Sequence, residues 1–359
     1  MTTGNKGEWS EVYVLLRLLG DKKLQPGDAN LDKISGLYYP IISITRNGTG
    51  ENQTYRLDGE DVVIEENGTE RRIPGMRFTE NSYYLLSEIK KKKKGTFTIP
   101  KTEGFMEDIR CLSLKAGSSE KSDISVSIYD QRTGQKPVLG FSIKSQLGSP
   151  STLLNAGRST NFIYKIIGNL SKKDIRDINA INTRSKVKDR LSAIYERGAS
   201  LRFREQYNRT FENNLILIDS SLPKILGSLV LDFYGESNRT TLRELTDALK
   251  QQNPLHFDIG QNHIFYEYKI KRFLTDIALG MKPATVWQGE YEVKGGYLIV
   301  KENGDIVCYH IYDKNEFEEY LMNNTRLETA STSRHDFGEI YEQNGKLYFN
   351  LNLQIRFTK

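Results

Sequence analysis

Asp123 and Lys144 are the residues of this chain whose types and spacing most directly suggest chemistry. Each lies in a strand-like run, and a turn-rich loop separates the two runs. An aspartate and a lysine brought side by side on a hairpin can serve phosphodiester hydrolysis. Cutting that bond without a covalent intermediate needs a divalent cation, which neutralises the phosphate and acidifies its water. One or two carboxylates usually hold such a hard cation, Mg²⁺ above all. A cationic group must also stabilise the pentavalent oxyanion or orient the nucleophile. Asp123 supplies the carboxylate and Lys144 the cation. Glu11 is the candidate second metal ligand if the first helix packs beside the hairpin, and Glu8, one turn earlier, competes for that role. A half-buried glutamate near a helix start can equally be a dipole partner.

The elements that must position these residues follow from periodicity. Ile124, Val126 and Ile128 alternate with Asp123, Ser125, Ser127 and Tyr129, a period of two. Leu139, Phe141 and Ile143 alternate with Ser142, Lys144 and Gln146 in the same way. Residues 130–137 are polar, contain Gly134 and Pro137, and read as a hairpin loop. If Tyr129 pairs with Val138, Asp123 falls opposite Lys144, both on the polar face and roughly 5 Å apart at their Cβ atoms. The same spacing also fits a surface ion pair on an exposed amphipathic face. After the hairpin, Ser149, Ser151, Thr152, Asn155, Arg158, Ser159 and Asn161 form a polar segment suited to phosphate hydrogen bonding, or simply a capped loop entering a helix. Near the end, residues 329–338 read TASTSRHDFG. Arg334 and His335 there could donate to guanine N7 and O6 in a major groove, or lie on a surface loop before the final strand.

The chain has 359 residues, enough for two domains or one elaborated one. Its formal net charge of +5 permits a polyanionic partner. Two cysteines, Cys111 and Cys308, exclude a disulfide framework and a cysteine-based zinc site. The four histidines show no ligand spacing. The N-terminal MTTGNKGEWSE lacks an apolar signal region, and the longest apolar runs fall short of a membrane span. A reducing cytoplasm is the expected compartment, with no membrane partner.

Along the chain, helices are expected over 7–19 (closed by Gly20), 102–114, 171–197, 215–234, 241–249 and 263–281. Residues 30–80 read as β-rich, with turns at Asn47-Gly48, Asp58-Gly59 and Asn67-Gly68. Residues 83–89 fit a short helix or strand, 151–166 loop and helix, and 286–312 and 346–357 strands. Lys90 to Lys94 are five consecutive lysines, a solvated loop or a phosphate-touching one. The boundary is placed near residue 200, giving a 1–200 core with the hairpin at 123–146 and a 201–359 helical and β-strand region for recognition or support.

The quoted segments NKGEWSE, KSDISVSIYD, GFSIKSQLGSPSTLLNAGRSTNF, STSRHDFGEIY and NLNLQIRF resemble the HpaII family of type II restriction endonucleases. The resemblance spans nearly the whole chain. It implies cleavage of double-stranded DNA within CCGG, dependence on Mg²⁺, 5′-phosphate ends, and a cytoplasmic bacterial role beside a protecting methyltransferase. It further implies an α/β (α+β) fold on the PD-(D/E)XK nuclease core, a mixed central sheet flanked by helices with additional helical and β elements. The pattern maps onto Asp123 and Lys144, but Ser142 stands where an Asp or Glu is usual. A serine is a poor metal ligand beside a carboxylate, which raises the importance of Glu11; Gln146 could lend an amide oxygen or orient a water. The competing class is a non-catalytic, sequence-specific DNA-binding protein on a degenerate nuclease core. Either a monomer or a homodimer fits the sequence, and a palindromic target suits a two-fold dimer.

Overall fold

The computed structural model describes residues 2–47, 52–66, 68–116, 122–235, 237–310 and 313–358. The Asn47-Gly48 and Asn67-Gly68 turns, Lys121, and the end of the 286–312 stretch fall partly or wholly outside these residues. The chain forms two compact units. The first comprises Met1–Ser151 with Tyr291–Tyr320; the second comprises Thr152–Glu290 with Leu321–Thr358. Residue 200, the boundary expected from sequence, opens a strand inside the second unit.

The first unit begins with α1 (Lys6–Asp21), followed by β1 (Lys23–Leu24), β2 (Tyr39–Asn47), β3 (Asn52–Asp58), β4 (Asp61–Glu66) and β5 (Thr69–Pro74). Then come α2 (Gly75–Lys91), α3 (Pro100–Asp108), β6 (Ile124–Ile128) and β7 (Val138–Ser145). The second unit carries β8 (Thr152–Leu154), β9 (Asn161–Ile167), α4 (Lys172–Ala180), α5 (Lys186–Glu196) and β10 (Ser200–Gln206), then α6 (Arg209–Ile218), α7 (Leu222–Tyr234), α8 (Leu242–Gln252) and α9 (Phe265–Ala278). The chain returns to the first unit as β11 (Gly296–Val300) and β12 (Ile306–His310). It leaves through α10 (Lys314–Asn323) for β13 (Thr325–Leu327), α11 (Thr332–His335), β14 (Ile340–Gln343), β15 (Lys346–Asn352) and β16 (Ile355–Phe357).

The fold is mixed α/β, with a large mixed sheet flanked by helices. That sheet has nine strands in the order β12-β11-β7-β6-β2-β3-β4-β5, with β1 on β2. Among its described pairings β11 runs parallel to β7 and the rest are antiparallel. Parallel neighbours need a long crossover, and here the crossover carries most of the second unit. The second unit has a four-stranded sheet, β10-β9-β15-β14, and a three-stranded one, β13-β16-β8.

Helix α1 starts where Asn5 accepts from the N–H groups of Gly7 and Glu8 while the Glu8 carboxylate accepts from Asn5 N–H, a capping box. Val12, Leu15, Leu16 and Leu19 recur at helical spacing and are fully buried with Ile124, Val126 and Phe141 of the sheet. Gly20 does not close α1, which runs on to Asp21 and ends at Lys22 in the left-handed region. A Cβ on Gly20 would lie 2.4 Å from Thr79 Oγ1 and 3.0 Å from Thr79 N, so glycine is there to let α1 and α2 touch. Gly20→Val is expected to cost about 1–3 kcal/mol through overpacking. A urea unfolding midpoint equal to that of the wild type would contradict this.

Other expectations shift for local reasons. The later part of the 151–166 stretch, expected as loop and helix, lies in β9 (Asn161–Ile167), whose Phe162, Tyr164 and Ile166 are buried and which pairs with both β10 and β15. The helix expected over 171–197 breaks at Ile181 into α4 and α5. Arg190, which helical phase would put on the outward face of that stretch, instead turns into the interior, donating to the carbonyls of Ile181 and Gly338 at 3.0 and 2.7 Å. The 215–234 helix breaks at Asp219, whose carboxylate accepts from Ser221 N–H. Thr241 is the N-cap of α8, in a capping box with Glu244. Among the described residues no single helix is long and apolar enough to cross a membrane.

Candidate active site

Strands β6 and β7 pair with Ile124 opposite Phe141 and Ser127 opposite Val138. This register differs by two residues from the one expected. Tyr129 leaves the hairpin and donates its N–H to Pro40 O, while Asp130 closes the loop, donating its N–H to Gln135 O and accepting from Gly134 N–H. The shift is even, so the polar and apolar faces keep their identity. Its consequence is that Asp123 lies level with Ser142 and Lys144 sits one step further along the same face.

Asp123 is locked where β6 begins. Its N–H donates to Phe141 O at 2.8 Å, and its Oδ2 accepts from Ile143 N–H at 2.6 Å and Ser142 Oγ at 3.2 Å. Ser142 therefore orients the carboxylate it adjoins.

Lys144 is half-buried, with its ammonium 5.1 Å from the centre of the Tyr297 ring. Tyr297 comes from β11, opposite Ser142 in the parallel register. Loss of solvent pulls the Lys144 ammonium below the ordinary lysine range, opposed by the negative charges of Asp123 and Glu11. Burial and the Asp123 charge together push Tyr297 upward.

Glu11 reaches this cluster from α1. Its carboxyl is pushed up to about 7, first by burial and then by the Asp123 charge; Arg46 and the Ala116 N–H oppose the rise. Arg46, almost fully buried on β2, lies 3.5 Å from Glu11 Oε2, and Ala116 N–H donates to that same oxygen at 3.1 Å. The competing Glu8 is spent on Asn5 N–H and on an ion pair with Lys115 at 3.1 Å, which hold its carboxyl below the usual range. The structure thus brings Glu11, Asp123 and Lys144 close enough for their charges to act on one another.

A groove of about 820 Å³ opens beside Glu11 and is lined also by Ser145, Ser149, Ser151, Lys93 and Lys94. Gln146 continues β7 by donating its N–H to Val300 O at 2.9 Å. Thr152, Asn155, Arg158, Ser159, Asn161, Arg334 and His335 belong to the second unit. Asn155, Arg158 and Arg334 are exposed, and Arg158 lies 3.8 Å from the Asp336 carboxylate. Asn161 lies in the interior, fully buried, where its amide donates to the carbonyls of His335 and Asp336. It clamps the turn that presents Arg334. Within this unit the basic start of α5 (Arg184, Lys186, Lys188) shares a groove with residues 329–333.

Sequence reasoning missed Arg46 and Tyr297. Each is made relevant by a neighbour distant in the chain, and no local pattern marks either one.

Two converging carboxylates suit Mg²⁺, which keeps several waters and takes few protein ligands. Burial first and the Asp123 charge second raise the Glu11 carboxyl, and a cation held by the two acids would favour their charged forms. Among the described residues no group of three or more acidic, histidine or cysteine side chains gathers as a fuller cage. The donor set therefore fits a hydrated Mg²⁺ completed by phosphate oxygens.

Comparison with known proteins identifies relatives of this chain. A family model described as HpaII restriction endonuclease matches residues 5–357. The type II restriction enzyme HpaII of Haemophilus parainfluenzae is 45% identical over 358 residues, covering 99% of this chain and 98% of that enzyme. No solved structure matches.

Proposed function

The chain belongs to the HpaII restriction endonuclease family, and on that premise we propose that it hydrolyses both strands of duplex DNA within CCGG, using Mg²⁺ and leaving 5′-phosphate ends. It is a type II restriction enzyme with DNA as its substrate. The observation that carries the finer reading is the meeting of Glu11, Asp123 and Lys144 beside an open groove.

Asp123 and Glu11 would hold the metal, whose chemistry is to neutralise the scissile phosphate and acidify the attacking water. Ser142 and the Ile143 N–H fix the Asp123 carboxylate, so that it meets its ligand without reorganising. Arg46 and the Ala116 N–H do the same for Glu11. Lys144, held over Tyr297, brings a positive charge to the phosphate or to the nucleophilic water in a site poor in solvent, where such charges act strongly.

The proposal includes a PD-(D/E)XK core, a cytoplasmic bacterial setting and a cognate methyltransferase that protects the host's sites. For a palindrome it favours a two-fold homodimer.

Incubating unmethylated plasmid with the protein, in Mg²⁺ and in EDTA, tests the reading. Discrete fragments are expected in Mg²⁺ alone, with mapped ends inside CCGG and resistance on methylated DNA. DNA left intact in Mg²⁺ but shifted on a gel would sink the catalytic reading in favour of a DNA-binding protein on a degenerate core.

A further inference from the structure

The five-lysine run does not behave as one unit. Lys90 donates to Asn303 O at 3.3 Å, Lys91 pairs with Glu88 at 2.6 Å, and Lys92 stands over the Phe97 ring. Lys93 and Lys94, just past the end of α2, differ. Both are exposed, and among the described residues neither has an ion-pair or hydrogen-bonding partner. Both line the groove that contains Glu11, as does Lys6 from the first turn of α1. Glu8, which lines the same groove, is already engaged by Asn5 and Lys115. The groove thus carries two carboxylates, Glu8 and Glu11, and four lysines, of which Lys93 and Lys94 have no ion-pair or hydrogen-bonding partner among the described residues. Ser149 and Ser151 add hydroxyls along it. An extended polyanion would be held at Lys93 and Lys94 by charge, and a cation bound at the carboxylates would let it continue to the Glu11 end.

We propose that this groove seats the sugar–phosphate backbone of the DNA strand on one side of the cut, with Lys93 and Lys94 each facing a backbone phosphate. The assignment rests on the endonuclease reading and deepens it. Contacts of this kind set position and affinity and carry no sequence information. Each releases about 0.9 counterion on binding.

The test uses the full chain, with Lys93→Ala and Lys94→Ala combined, and measures binding in Ca²⁺ across a salt series on duplexes with and without CCGG. The expected result is a log–log salt slope lowered by about 2, with equal loss of affinity on both duplexes. The single-turnover rate at saturating DNA should stay within a few-fold of the wild type. A second measurement replaces single phosphates beside the cut by neutral methylphosphonates. One or two positions should weaken the wild type and leave the double variant unaffected. A wild-type slope in the double variant, with no position that distinguishes the two proteins, would overturn the groove assignment while wild-type cleavage stands. If the wild type neither cuts nor binds DNA, the endonuclease reading itself falls, and this assignment with it.

Discussion

Lys144→Ala is expected to lower the single-turnover cleavage rate by about 10²- to 10³-fold, the usual cost of removing one preorganised charge or donor from a reaction centre, with DNA affinity in Ca²⁺ changed only a few-fold. The separation of rate from affinity is the informative part. Lys144 is half-buried over Tyr297 and faces two carboxylates, so it is placed to act on charge that develops during reaction and has little surface left to grip a ligand at rest. Lys144→Arg should not restore the rate, because the planar guanidinium is larger and presents its donors in a fixed fork. Quenched-flow measurement on a short CCGG duplex settles the matter. A rate within tenfold of the wild type would remove Lys144 from the chemistry.

Arg46→Met is expected to destabilise the protein by about 3–5 kcal/mol, the cost of leaving one member of a buried charge pair behind. Arg46 is 4% exposed; it donates to Cys111 Sγ at 2.9 Å and to Leu114 O, and it lies beside Glu11. Its loss strands Glu11 next to Asp123 and frees residues 111–116. Combining Arg46→Met with Glu11→Gln should recover part of the loss in urea unfolding, because the second change removes the stranded charge. A strictly additive double variant would show that Arg46 acts through the 111–116 segment alone. The coupling also has a pH signature. The folded Glu11 carboxyl titrates near 7, above its ordinary 4.5, so in that window the folded state binds more protons than the unfolded one. Stability of the metal-free protein should therefore fall as pH rises from about 4.5 to 7. Glu11→Gln should flatten that part of the profile.

The first helix and the hairpin were legible because each carries its own period. Val12, Leu15 and Leu19 mark one, and Ile124, Val126 and Ile128 the other. The faces of the hairpin were readable while its register was not. Alternation fixes only odd from even, and the competing partner of Tyr129 was Pro40 on a strand far away in sequence. The same limit hid β9. Residues 161–167 have bulky apolar side chains at alternate positions, yet the preceding Ser, Thr and Asn residues looked like a helix cap. What decides the strand is pairing on both edges by β10 and β15. Arg190 looked solvated by helical phase, but carbonyls at Ile181 and Gly338 draw it inward. Glu11 could be suspected from its apolar surroundings. Arg46 and Tyr297 could not, since a lone arginine on β2 and a tyrosine on β11 become significant only once the sheet assembles.

That sheet also sets a clock. Lys144 rests on Tyr297, which β11 delivers only after the chain has passed through most of the second unit. A ribosome adds ~5–20 residues per second, so on the order of ten seconds separates the synthesis of the two residues. Throughout that interval β7 lacks its parallel neighbour, and Lys144 lacks the ring it rests on. On the proposed mechanism, a nascent chain therefore carries the hairpin without the ring that positions its lysine until β11 has been made.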